Sequence, residues 1–234
     1  MNPHWSNMTS LSAPYRWTVL GGILLRAAWW FWKSKRDPAM LPVYIGALGG
    51  AFLGAKLVYL FAEGWRDWSM EDRWLRLAAG KSILGGLLGG YLGVELMKKL
   101  LDYRKSTGDL FAIIAPVGIA IGRVGCCLQG CCGGRCVKSG WAVMQAGVAR
   151  WPSAQVELGF QLLMLVVILI LHKRGTFKDR LFFLYLAAYG IFRFFHEWLR
   201  ETPQMAFGVS GYQIIAAIMA ALGAFMFWKR RKTS

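Results

Sequence analysis

The stretch LFAIIAPVGIAIGRVGCCLQGCCGG, residues 110–134, decides how the chain is read. Its first half is an apolar run of membrane-spanning character. Its second half places Arg123 inside or at the edge of that run, then four cysteines within seven residues. A cation in hydrocarbon costs a few kcal/mol even on insertion scales, so it is kept where it serves a function. Glycines at 122, 125, 130, 133 and 134 let backbone or ligand come close. The remaining chain reads as a membrane scaffold that holds this segment against a lipid.

Further apolar runs extend outward from it. The chain has 234 residues, of which 56% are hydrophobic and 12 are Trp, above the roughly 45–50% apolar content of soluble domains. Runs of near-spanning length predict a polytopic membrane protein. The fold class is therefore all-α integral membrane protein, a single domain over 1–234. Spans are expected at 14–32, 39–62, 82–97, 110–128, 153–171, 181–199 and 209–228. Residues 63–80 mix Trp65, Trp68, Trp74, Leu75 and Leu77 with charges and suit an amphipathic helix on the outer surface. Glycines 46, 49, 50 and 54 of the second span permit close helix packing.

The formal charge of +16 lies mainly in short loops after alternate spans. These are Lys33–Arg36, Lys98 to Lys105, His172 to Arg180 and Lys229–Lys232. That is the cytoplasmic excess of Lys and Arg found in membrane proteins, not a nucleic-acid surface. It predicts seven spans with the N-terminus outside and the C-terminus cytoplasmic. The first span can act as its own insertion signal.

Seven charges fall in or at the ends of apolar runs: Arg26, Lys56, Glu95, Arg123, Glu157, Arg193 and Glu197. Pairing or snorkelling accounts for Arg26, Lys56 and Glu95. Arg193 and Glu197 are four apart and share a helix face. A second arginine facing them would make a cationic cavity suited to an anionic headgroup, because guanidinium holds phosphate oxygens bidentately.

The segment Tyr189-Gly190-Ile191-Phe192-Arg193-Phe194-Phe195-His196-Glu197-Trp198-Leu199-Arg200 resembles the Y-G-x-x-R-x-x-x-E-x-x-R segment of the phosphatidylglycerol–prolipoprotein diacylglyceryl transferases. Gly122-Arg123-Val124-Gly125 is similar to the opening of their G-R-x-G-N-F-x-N-x-E-x-x-G signature, and Gly85-Gly86-Leu87 to their H-G-G-L segment. Pro152-Ser153 with Glu157 matches part of P-S-Q-L-Y-E, and Ser210 with Gln213 resembles the segment opening the last helix. The resemblance implies a bacterial inner-membrane enzyme that moves the diacylglyceryl group of phosphatidylglycerol to a lipobox cysteine. By position in these segments, Arg123, Arg193 and Glu197 are expected to act in catalysis, with Arg123 on the phosphate. Lys81 either snorkels or replaces the family histidine, whose place Leu84 takes. Ser82, Gly85, Gly86, Gln129, Glu157, Tyr189 and Arg200 are expected to bind substrate. Cys126 and Gln129 replace the signature asparagines, Cys131 replaces its glutamate, and Thr18 stands where a tyrosine is expected.

The cysteines leave three readings open. Cys126, Cys127, Cys131, Cys132 and Cys136 could form disulfides or pack as small apolar residues near the outer face. One could be a reactive thiolate beside Arg123. The i,i+4 pairs Cys127/Cys131 and Cys132/Cys136 could share a helix face and hold a metal. However, no C-x2-C pair or histidine accompanies them, so no metal and no cofactor are expected. His196 is read as interfacial. The expected partners are an anionic phospholipid and a lipoprotein or small thiol acceptor, with no nucleic acid and a monomeric protein. The alternatives are a non-catalytic lipid-binding membrane protein and an outer-face thiol redox protein.

Overall fold

The computed structural model describes residues 37–232 except 39, 139, 146, 206 and 207, together with residue 21. The expected first span, with Arg26 and Thr18, otherwise lies outside the described residues. Helix α1 (Met40–Tyr59) continues through a π-helical turn (Leu60–Gly64) into a last turn (Trp65–Asp67). It is followed by α2 (Arg73–Ala79), α3 (Ile83–Leu100) and α4 (Gly108–Gln129). A hairpin of β1 (Val143–Gln145) and β2 (Val148–Arg150) precedes α5 (Ser153–Lys173), α6 (Leu181–His196) and α7 (Gly211–Lys229). The hairpin is antiparallel, with Val143 opposite Arg150 and Gln145 opposite Val148. It is a small β element in the loop between α4 and α5.

Four helices are long and apolar enough to cross a membrane: Met40–Asp67, Gly108–Gln129, Ser153–Lys173 and Gly211–Lys229. A fifth span results if α2 and α3, bent by 55° where they meet, count as one. The described residues thus give four or five spans by length and composition. The expected sixth span stops at 16 residues because the chain tightens into a 3-10 turn at Glu197–Leu199. The amphipathic segment is also shorter than expected. α1 runs on to Asp67, and α2 is a separate short helix with Trp74 and Leu75 exposed, as is Trp68 in the turn before it. Ile45, Leu53, Leu57, Leu92, Leu163 and Phe225 are also exposed, on faces that lipid would cover.

Small residues set the closest helix contact. A Cβ at Gly54 would lie 2.3 Å from the Gly85 carbonyl oxygen, at Gly89 2.2 Å from that of Gly50, and at Gly93 2.1 Å from that of Gly46. α1 and α3 therefore touch backbone to backbone, as small-x-x-x-small patterns allow. Gly49, grouped with these from sequence, is exposed and meets nothing among the described residues. Overpacking typically costs about 1–3 kcal/mol. Gly89→Leu is accordingly expected to lower the thermal midpoint in detergent by several degrees, with Gly49→Leu unchanged. Equal midpoints for the two variants would mean that α1 and α3 do not pack this way. α6 and α7 meet similarly, Gly190 against Ala216 and Ala220, and Gly223 against Ala187.

Loop contacts sort the helix ends into two groups. At one end Tyr103 and Lys105 donate to Asp37 (3.1 and 2.7 Å), and Asp109 accepts from the backbone N–H groups of Asp179 (2.9 Å) and Leu181 (3.3 Å). Arg230 lies 4.0 Å from Glu95 there. The basic clusters after α3, α5 and α7 meet at this end. At the other end α3 begins, α4 finishes, and α5 and α7 begin. Ser82 caps α3 by accepting from Gly85 N–H (3.4 Å). A reciprocal capping box opens α7: Gln213 N–H donates to Ser210 Oγ (3.2 Å), and Ser210 N–H to Gln213 Oε1 (2.9 Å). Lys56 donates to the carbonyls of Leu77, Ala78 and Gly80 (2.5, 2.5 and 2.9 Å) and so closes the C-terminus of α2. This is its pairing role.

Candidate active site

At the end where α4 finishes, a network of buried charges centres on Glu157. Its Oε2 lies 2.9 Å from Arg123 Nη2 and 3.4 Å from Arg193 Nη1, and its Oε1 accepts from Tyr189 Oη at 2.6 Å. Arg193 Nη2 donates to Glu197 at 2.8 Å, the i,i+4 pair expected from sequence, and Arg200 Nε lies 3.7 Å from the same carboxylate. Glu157 is 0% exposed, Arg123 7% and Arg193 6%. Burying charges is costly unless they are paired in good geometry, and this geometry is supplied by four segments. α4 brings Arg123, the second turn of α5 brings Glu157, and α6 brings Tyr189 and Arg193. The 3-10 turn then places Glu197 and Arg200. The Nε atoms of Arg123, Arg193 and Arg200 have no hydrogen-bond partner among the described residues.

The described residues bound a cavity of about 1490 Å³. Arg123 and Arg200 line it, with Lys81, Gly86, Gln129, Cys126, Cys131 and Cys132. Tyr91 of α3, Phe111 and Ile114 of α4, and Phe182 of α6 make apolar walls farther along the helices. Among the residues expected to act there, Arg193, Glu197, Glu157 and Tyr189 do not line it. They stand behind Arg123 and Arg200 and hold them. Ser82 and Gly85 serve capping and packing instead of facing the cavity. Leu84 is 1% exposed within the main apolar cluster and is not part of the cavity wall, so its position carries no polar group to the site. Lys81 is exposed at the start of α3 and reaches the cavity.

All five cysteines are free thiols. The i,i+4 helix-face pairs expected from sequence do not form, because α4 ends at Gln129 and Gly130 takes a left-handed conformation (φ 63°). The turn folds the chain back on itself. Cys131 N–H donates to the Cys126 carbonyl (3.1 Å), and the sulfurs of Cys126, Cys131 and Cys132 all come within 4.8 Å of one another. Arg123 Nη1 is 4.0 Å from Cys126 Sγ. Cys132 is held well below the ordinary thiol range by its thiol neighbours Cys126 and Cys131, with Arg123 and Arg200 adding to this. The same neighbours push Cys131 up. Cys127 does not line the cavity, and Cys136 is exposed on a bridge to Arg150.

Residues 15–229 match the family described as prolipoprotein diacylglyceryl transferase. The chain belongs to this family. A phosphatidylglycerol–prolipoprotein diacylglyceryl transferase of Dehalococcoides mccartyi is 27% identical over 228 residues, covering 90% of this chain and 86% of that protein. The corresponding protein of Chromohalobacter salexigens is 27% identical, covering 88% and 84%. The second such transferase of Clostridium perfringens is 28% identical, covering 84% and 78%. Membership in a diacylglyceryl transferase family makes the chain an enzyme of the transferase class with membrane-crossing helices.

Several residues of this region carried little sequence signal. Gln145, a polar residue in an unpatterned loop, is buried and accepts from Gly133 N–H at 2.9 Å. His196, read from sequence as interfacial, is buried inside the protein. It stacks on Phe192 and accepts from Trp151 Nε1 at 3.4 Å. Gln161 accepts from Tyr185 Oη at 2.7 Å, a tie inside two apolar helices that only an intramembrane polar residue hints at.

Proposed function

We propose that the protein moves the diacylglyceryl group of phosphatidylglycerol, or a closely related anionic phospholipid, to a thiol acceptor and releases glycerol phosphate. The observation that carries this reading is a buried guanidinium, Arg123, fixed by Glu157 at the wall of a cavity with a cationic end and apolar walls. The acyl chains occupy the apolar part, and the phosphate meets Arg123 with help from Arg200 and Lys81. In the reaction a thiolate attacks the glycerol carbon, an S–C bond forms, and the C–O bond to phosphate breaks. The negative charge that develops on the leaving phosphate is stabilised by the preorganised guanidinium. Glu157 and Glu197 keep Arg123, Arg193 and Arg200 in place, and Tyr189 orients Glu157. Arg193 and Glu197 thus serve as positioning residues.

In this reading the chain makes seven spans in the bacterial cytoplasmic membrane and acts as a monomer. The end that gathers the basic loops faces the cytoplasm, which puts the N-terminus and the charged network at the outer side. The experiment is incubation of purified protein in proteoliposomes with labelled phosphatidylglycerol and a lipobox peptide. Label recovered on the peptide cysteine, with release of glycerol phosphate, is the expected result. Bound lipid without transfer would overturn the enzymatic reading and leave a lipid-binding protein.

A further inference from the structure

Cys126, Cys131 and Cys132 are used by nothing in the phosphate-binding scheme, yet the chain goes to some lengths to gather them. Gly130 turns in the left-handed region (φ 63°), and Cys132 adopts a positive φ of 61° that non-glycine residues seldom take. Gln145 then pins the loop from the hairpin side. Its Oε1 accepts from Gly133 N–H (2.9 Å) and its Nε2 donates to the Cys131 carbonyl (3.4 Å). A Cβ at position 133 would sit 2.1 Å from that Oε1, so any larger residue there would displace the Gln145 amide from the loop. The result is three sulfurs mutually within 4.8 Å at a cavity wall. A disulfide would join two of them and leave the third without a role.

Three thiolates bound to one zinc-sized ion at about 2.3 Å each stand roughly 3.8–4.0 Å apart, which the observed spacing accommodates. Three protein ligands with a fourth position free is the arrangement of catalytic zinc sites, whereas structural sites are closed by four. Sulfur-only ligands select thiophilic d10 cations over magnesium or calcium. A divalent cation with three thiolates carries one net negative charge. Arg123, whose Nη1 is 4.0 Å from Cys126 Sγ, and Arg200, on the same cavity wall, offset that charge.

We propose that Cys126, Cys131 and Cys132 bind one thiophilic cation of the zinc class and leave one coordination position open to the cavity, where the acceptor thiol binds as a thiolate. The second half of this statement rests on the thiol-transfer reading above. Coordination deprotonates a thiol outright, and the proton passes to cavity water. The metal-bound thiolate then supplies the electron pair of the new S–C bond. The C–O electron pair leaves with the phosphate beside Arg123. The product is a neutral thioether, a much weaker ligand, so it vacates the open position. A metal-bound thiolate also answers how a nucleophile is generated in a cavity whose wall receives no side chain from Leu84 and has cysteine at 126 and 131.

The test uses the intact protein, reduced and freed of metal in detergent, titrated with Co²⁺ as an optical probe. The expected result is one equivalent per chain with intense sulfur-to-cobalt charge-transfer absorption. Cys131→Ser should weaken binding by at least about 100-fold, more than loss of an outer-shell partner costs, while the exposed Cys136→Ser should leave it unchanged. X-ray absorption of the zinc-loaded wild type should give three sulfur neighbours, a readout independent of how the variants fold. A lipobox cysteine peptide should shift the cobalt bands, and its serine analogue should not. No cobalt uptake by the reduced protein, full uptake by Cys131→Ser, or a disulfide between two of the trio in the natively purified protein would overturn the metal site. Equal transfer rates with and without zinc would overturn thiol activation and leave the transferase reading intact. Peptide-shifted cobalt bands without lipid transfer would keep the thiol-binding metal site and overturn the transferase reading.

Discussion

Replacing Arg123 by alanine is expected to reduce diacylglyceryl transfer about 10²–10³-fold, the loss seen when one preorganised donor to a developing anion is removed. Three observations set that size. The guanidinium is 7% exposed, so no water layer substitutes for it. It is fixed at 2.9 Å by Glu157, so little of its stabilising power is lost to reorganisation. It lines the cavity, whereas Arg193 stands behind it. The fold should tolerate the change better than the chemistry does, because Glu157 keeps Arg193 and the Tyr189 hydroxyl. Arg123→Lys retains the charge but not the planar fork that spans Glu157 and Cys126, so it should recover only part of the rate. Initial rates in proteoliposomes, with kcat and KM separated, check this against the thermal midpoint of each variant. Activity of Arg123→Ala within a few-fold of wild type would remove the phosphate role from this residue.

Much of this arrangement was legible from the chain itself. The helices over 83–100, 108–129, 153–173 and 211–229 lie close to the expected spans, because long apolar runs bounded by Gly, Pro and basic residues leave few alternatives. The Arg193–Glu197 pair followed from spacing alone. Glu157 was legible as a charge in an apolar run, but its place as the centre of the network was not. Its partners are 34 and 36 residues away on other helices, and no local period encodes that contact. The cysteines show the same limit. Reading them as helical favoured Cys127 with Cys131, but one left-handed glycine at 130 replaces that pairing with Cys126, Cys131 and Cys132. Glycines 49 and 50 are adjacent and indistinguishable by composition. Only the crossing of α1 and α3 decides that the second touches backbone and the first touches nothing among the described residues.

Glu157→Gln is expected to be the most destabilising single change in the described fold. The carboxylate is 0% exposed and is the shared partner of two guanidinium groups. Glutamine keeps the volume and can still accept from Tyr189, so no cavity or lost packing confuses the result. What disappears is the charge: Arg123 loses its carboxylate partner in a poorly solvated interior, while Arg193 keeps Glu197 at 2.8 Å. Breaking a buried pair by removing one partner costs about 3–5 kcal/mol, which for a chain of this size corresponds to roughly ten degrees in the thermal midpoint. The surface pair Arg150–Glu201 provides the contrast, since Glu201 is largely exposed. Glu201→Gln should move the midpoint little, because exposed pairs contribute about 0–1 kcal/mol. The decisive variant is the double change Glu157→Gln with Arg123→Met, which removes the stranded charge while Arg193 keeps Glu197. If the instability comes from uncompensated guanidinium charge, the double variant should be more stable than Glu157→Gln alone, with a coupling of about 0.5–3 kcal/mol. If the two losses simply add, Glu157 stabilises the bundle by some means other than holding its arginines.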